Sequence, residues 1–441
     1  MKKIFIVFFA FAFINANAQE TVLPAKPQKG IIVIKNATIH TGNGKVIEKG
    51  MIRIKDGKIE EVGQTVSIPS GDNVEVMDVN GKQVYPGLIL PTSSLGLIEI
   101  SAVKASTDAR EMGEMNPNVR SIVAYNTDSK VINTLRSNGI LAANIVPQGS
   151  LLAGSSSVVQ LDAWNWDDAA YATDEGMHLY MPSMLARPRF GRGGGRGPQQ
   201  GGNDPEDAAV AKIEEVKDFF RQAKAYFAEP AHEKTNLKFE STQNLFAKKQ
   251  KLYAHANTVT QMLLALDFVK EFDFDLVIVG GSDSWQITDL LKKHNVAVIL
   301  QQPHSLPTLL DDDVDQPYKT AAALQKAGVL FAISDDDGQT RGRNIAFNAG
   351  TAAAYGLTKE EALAAITLNA AKIMGISDKT GSIEVGKDAN IIISDGDILD
   401  MRTSNVTDAF IQGRKIDLTD KQKQLYEKYE EKYDLKKKKG F

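Results

Sequence analysis

From Val84 onward the chain repeats one pattern: a short apolar run ending in small or polar residues, then an amphipathic stretch. That alternation implies parallel βα units, because parallel strands must be joined by a crossover, usually a helix. Leu252-Tyr253-Ala254-His255-Ala256 reads as a strand followed by a helix over about 259–271. Leu276-Val277-Ile278-Val279 and a helix over 285–293 come next, then strands over 296–300 and 329–334. Two further helices are expected over about 344–355 and 359–370. Upstream, 140–146 and 158–161 read as strands, and a helix over 129–137 is stopped by Asn138-Gly139. A chain of 441 residues can hold one large domain of this kind and a small one beside it.

The small domain is expected before Val84. Ile31-Ile32-Val33-Ile34, Met51-Ile52-Arg53-Ile54, Lys58-Ile59-Glu60-Glu61-Val62 and the alternating run 74–79 are short strands, and Asp56-Gly57 is a two-residue hairpin turn. They predict a small β-sandwich. The composition, 43% hydrophobic and 24% charged, is that of a globular protein, and no long apolar run beyond the first residues predicts a membrane span. At the start, Lys2 and Lys3, an apolar core over 4–14 and the small-x-small triplet Ala16-Asn17-Ala18 predict a signal peptide over 1–18. Cleavage after Ala18 would give a periplasmic or secreted protein. With no cysteine, there are no disulfides, and any metal must be held by His, Asp, Glu or a modified Lys. The formal charge is −4 before those two lysines are lost, which argues against a nucleic-acid role. Residues 187–207 are rich in Gly and Arg and read as a flexible loop. The end, 418–441, reads as a charged helix and tail. Leu425, Tyr429 and Tyr433 at i, i+4, i+8 predict a helix docked by one stripe, and Lys436–Lys439 a solvated end.

Three motifs carry a resemblance. Pro86-Gly87-Leu88-Ile89-Leu90-Pro91-Thr92-Ser93-Ser94-Leu95-Gly96 resembles the first barrel strand of the amidohydrolase superfamily, where Pro-Gly-Leu-Ile-Asp-x-His-x-His-x-Gly supplies two metal-binding histidines. Gly381-Ser382-Ile383-Glu384-Val385-Gly386-Lys387-Asp388-Ala389-Asn390, with Thr367-Leu368-Asn369-Ala370-Ala371 before it, is similar to the segment by which such chains re-enter the sandwich. Ile411-Gln412-Gly413-Arg414-Lys415-Ile416 is similar to their closing strand. The likeness runs over about 31–416 and is nearest to the imidazolonepropionase-like branch. It implies an α/β fold: a (β/α)8 TIM-like barrel over 84–383, with a β-sandwich built from 19–83 and 384–417.

The resemblance also implies a site at the C-terminal ends of the strands, where barrels of this kind keep their reactive groups. The family holds one or two divalent metals there, and the metal lowers the pKa of a bound water while an Asp moves its proton. Position by position, Thr92 and Ser94 stand where the His-x-His pair belongs, and Gly281 stands where the strand-six histidine belongs. His255 matches the strand-five ligand. Asp335 in Ile333-Ser334-Asp335 matches the strand-eight ligand and proton-transfer aspartate. His304, in the loop after strand seven, is a weaker third candidate, and Asp336 or Asp337 could add another. His178 and His232 are assigned to a long insertion, and no strand-four lysine is evident. A hydroxyl is a poor zinc ligand, and a catalytic zinc usually keeps three protein ligands.

Three readings of function stay open. One is a hydrolase of non-peptide C–N bonds, in cyclic or linear amides, with one divalent metal, zinc or manganese, in a reduced or rearranged site. Another is a catalytically inactive relative that binds a small molecule, or pairs with an active amidohydrolase chain, without metal. A metal-free enzyme using Asp335 as base with His255 or His304 is a third. A homo-oligomer is compatible with each.

Overall fold

The structure, a computed structural model, describes residues 23–149, 151–184, 205–309, 311–335 and 340–435. The expected leader 1–18, residues 187–204 of the Gly/Arg-rich loop, Asp336, Asp337 and Lys436–Lys439 lie outside these.

Two eight-stranded sheets organise the chain. The first joins Ile31–His40, Val46–Lys55, Lys58–Gly63, Val74–Asp78 and Gln83–Pro86 to the late strands Ile391–Ser394, Val406–Ile411 and Arg414–Lys415. Ile34, Ile52, Ile54, Ile391, Ile393 and Phe410 share its core. Asp56 and Gly57 both take positive φ (51° and 78°), as a tight hairpin with the right-handed twist of its strands requires.

The second sheet is the barrel. Its strands, one to eight, are Leu88–Ser93, Ile140–Ile145, Leu152–Gln160, Ala170–Tyr180, Lys251–Ala256, Leu276–Gly280, Ala297–Leu300 and Phe331–Ile333, hydrogen-bonded in that order. Alternate residues fill the interior, among them Ile89, Ala142, Val158, Tyr253, Val277, Val279, Ile299 and Ala332. The intervening residues pack outward against helices, including Val259–Phe272, Gln316–Ala327 and Ile345–Ala354. Strands one and eight, at the two ends of the ladder, are tied by side chains: Thr92 Oγ1 and Ser334 Oγ lie 2.7 Å apart.

The strand at Val84 splits between the two sheets. Gln83–Pro86 pairs with Ile391–Ser394, and only after Gly87 does the chain enter the barrel. A Cβ on Gly87 would stand 2.6 Å from Leu141 Cδ1, so the pivot needs glycine.

The expectation of parallel units throughout is corrected at strand three, which runs antiparallel to both neighbours. No helix separates it from strand two, so the chain simply turns back. The expected helix over 359–370 is broken into Lys359–Ala365 and Leu368–Ile373. The segment read as a long insertion contains strand four and a helix, Pro205–Ala228, which opens inside the stretch read as a flexible loop. Leu425, Tyr429 and Tyr433 do not dock: they are 40%, 48% and 58% exposed, the first two on the helix Lys421–Lys432 and Tyr433 at its C-cap. That helix is held at its start, where Asp420 caps Lys423 N at 2.8 Å and bonds Ser137. No described helix is long and apolar enough to cross a membrane.

Candidate functional site

The C-terminal end of the barrel opens into a cleft of about 450 Å³ lined by Thr92, Ser93, Arg110, Val146, Gln148, Tyr180, His255, Asn257, Gln261, Val279 and Gln301. His255 stands at its wall because it is the second-last residue of strand five and, two residues beyond Tyr253, faces inward. Its ring stacks on Tyr180, with centroids 3.9 Å apart and planes 12° from parallel. Tyr180 is fixed in turn by donating to the Pro147 carbonyl at 2.9 Å.

His178 is the residue that the sequence reading misplaced. It belongs to strand four, and its Nδ1 lies 2.9 Å from His255 Nε2, the two rings sharing one hydrogen bond. It also stacks on Tyr253, centroids 5.0 Å apart. Burial pushes the His255 imidazole down to about 3. Burial, then the neighbouring His255, hold His178 well below the ordinary histidine value. Both rings are therefore neutral near pH 7, and one N–H serves the pair. The available signal was the apolar run Gly176-Met177-His178-Leu179, too regular for an insertion.

The other expected ligand positions take up other partners. Thr92 is 7% exposed and spends its hydroxyl on Ser334. Ser94 is buried, with no hydrogen-bond partner for its hydroxyl among the described residues. Gly281 has φ +58°, and a Cβ there would stand 2.7 Å from Val298 Cγ1, so the strand-six place has no room for an imidazole. Asp335 is 2% exposed, its Oδ1 3.2 Å from an Arg341 guanidinium nitrogen and its Oδ2 accepting from Asn348 Nδ2 at 3.2 Å. His304 is exposed and points elsewhere: it bonds Thr351 Oγ1 at 3.1 Å and lines a separate cleft with Phe347 and Asp397.

These residues do not fit a metal centre. Hydroxyls at the His-x-His place, a closed glycine on strand six, and a carboxylate held by a guanidinium leave two converging imidazoles, short of three ligands. Among the described residues no three His, Asp or Glu side chains gather as a metal-holding group. Among the described residues, the mouth offers a polar wall of Asn257, Gln148, Gln261 and Gln301, a neutral imidazole, and one cation. The cation is Arg110, exposed at the rim, whose guanidinium lies against Gly149, where a Cβ would be 1.9 Å from Nε.

The two-sheet architecture, with strand ends converging on a cleft, is that of an amidohydrolase-type barrel. Over 88% of this chain it matches 99% of an amidohydrolase from Thermotoga maritima MSB8, with TM-score 0.76 and 25% identity. The Amidohydrolase family profile matches residues 275–417. An imidazolonepropionase of Mesorhizobium japonicum is 24% identical over 408 residues, 84% of this chain and 93% of that protein. One from Flavobacterium johnsoniae is 42% identical over 81 residues, about a fifth of either chain. The chain is thus similar to the amidohydrolase superfamily, and within it to imidazolonepropionase-like members.

Proposed function

We propose that this protein takes a small molecule bearing an amide-type C–N bond into the barrel mouth, and that it binds this molecule without metal-dependent hydrolysis. The observation that carries the reading is the pairing of Thr92 with Ser334, where the family's strand-one and strand-eight metal chemistry would meet. The family gives the compound class, and Arg110 favours a ligand with an anionic end. The leader-like start supports export to the periplasm or beyond. Ligand delivery to a partner, an active amidohydrolase chain or a second copy of this one, is compatible with a mouth that binds but does not cut.

One observation favours a second reading, a hydrolase of non-peptide C–N bonds with a rearranged centre. The nitrogens of His178 and His255 converge at 2.9 Å, close enough to share one ion. Elemental analysis of protein purified without chelator, before and after Zn²⁺ or Mn²⁺ is supplied, separates the two. The binding reading expects less than a tenth of an equivalent retained, and no turnover of amide or lactam substrates. Near-stoichiometric metal that His255→Ala and His178→Ala both remove would overturn it in favour of the hydrolase.

A further inference from the structure

Directly beneath the mouth, the barrel interior holds polar atoms that the fold does not use. Asn144 sits in strand two, where Ala143 and Ile145 face the outer core and Ala142 faces the interior, so alternation turns Asn144 inward. It is 0% exposed, and neither its Oδ1 nor its Nδ2 finds a partner among the described residues. His178 is placed alike on strand four. Met177 and Leu179 face outward, the ring is 0% exposed, and Nε2 has no partner among the described residues. One inward position further along each strand come Val146 and Tyr180, and both line the cleft. The two unpartnered groups are thus the next layer down from the mouth.

A buried amide with both ends unmade is costly, and strand two already accepts alanine at the equivalent inward place, Ala142. Asn144 makes no side-chain hydrogen bond among the described residues, and it lies one inward position below Val146 of the cleft wall. We propose that Asn144 and His178 form an inner subsite for the neutral end of the ligand, a group carrying a carbonyl acceptor and an N–H donor side by side, such as a carboxamide. This deepens the mouth-binding reading and rests on it. Asn144 presents one donor and one acceptor on the same plane, which matches such a group at two points. A carboxylate is excluded at this depth. It brings two acceptors and a charge, and Asn144 and the neutral imidazole supply no countercharge. The ligand then lies with its amide inward and its anionic end toward Arg110 at the rim.

The probes are succinamate, which has a carboxylate at one end and a carboxamide at the other, and butyrate and succinate, which lack the amide. Binding is followed by calorimetry, with the nitrogen resonances of His255 as a local reporter. Succinamate is expected to bind at least tenfold more tightly than either comparison. Asn144→Leu, of similar volume, should abolish that preference. A preference for succinamate that survives this substitution overturns the inner subsite, and so does a wild-type protein that binds all three equally. In those cases binding that shifts His255 still upholds the mouth itself. No His255 shift with any probe overturns the mouth reading and the subsite with it.

Discussion

At the scale of single residues, the site was half legible. His255 and Asp335 could be placed at strand ends from motif spacing, and both lie there. What spacing cannot show is how each side chain is spent, because that depends on neighbours distant in the chain. Thr92 meets Ser334 across 242 positions, and His178 meets His255 across 77. Gly281 makes the point testable. Gly281→His restores the family's letter but forces a Cβ and an imidazole into φ +58° against Val298. Strain alone should cost about 1–3 kcal/mol. Thermal unfolding should show a lower midpoint and elemental analysis no zinc retained, whereas wild-type stability with bound zinc would contradict the closed geometry. Glu175 gives a second prediction. It accepts from Tyr253 Oη at 2.7 Å at the far end of strand five, and burial pushes its carboxyl from 4.5 up to about 7. The folded chain therefore holds a proton that the unfolded chain releases between those values, and stability falls as pH rises through that window. Glu175→Gln should flatten the unfolding free energy between pH 4.5 and 7. A slope there that is unchanged in the variant would mean that another group sets it.

At the scale of elements, strands five to eight and their helices were readable because each is a local pattern with a local stop. Strand four was not, and strand three was readable only at its end, over 158–160. The eleven residues Ala170–Tyr180 are polar at one end and apolar at the other, since only the apolar half lies within the barrel. Strand three is Ser-rich, and its antiparallel direction follows from the short return after strand two rather than from its own residues. The tail helix shows the opposite error, a periodic stripe that found no surface. Tyr429→Ser should change stability by no more than about 0.5 kcal/mol, as for other exposed positions. Asp420→Ala should cost about 1–2 kcal/mol, because it removes the helix cap and the contact to buried Ser137. Urea midpoints of the two variants give the comparison, and a larger loss for Tyr429→Ser would mean that the stripe is covered after all.

At the scale of the whole molecule, the sheets are locked by one buried carboxylate. Asp162, just past strand three, holds Arg136 of the helix Lys130–Ser137 at 2.6 Å, Arg414 of the closing strand at 2.9 Å and Ala25 N at 3.0 Å. Asp162→Ala leaves the buried Arg136 and the half-buried Arg414 without their carboxylate and should cost about 3–5 kcal/mol. Calorimetry should show a sharply lower unfolding temperature, and an unchanged one would mean that the two ends of the chain are held elsewhere. The sequence by itself determined the architecture: the period of its strands and helices and the return motif from Gly381 are local features, and local sterics and apolar spacing enforce them wherever the chain goes. It also determined that the His-x-His pair is missing. Only the tertiary structure decided what replaced it. Closing the barrel brought Ser334 to Thr92, Arg341 to Asp335 and His178 to His255, and turned Asn144 inward beneath the mouth. Hydrogen bonds and ion pairs form over about 3 Å, so their partners are set by folding rather than by position along the chain.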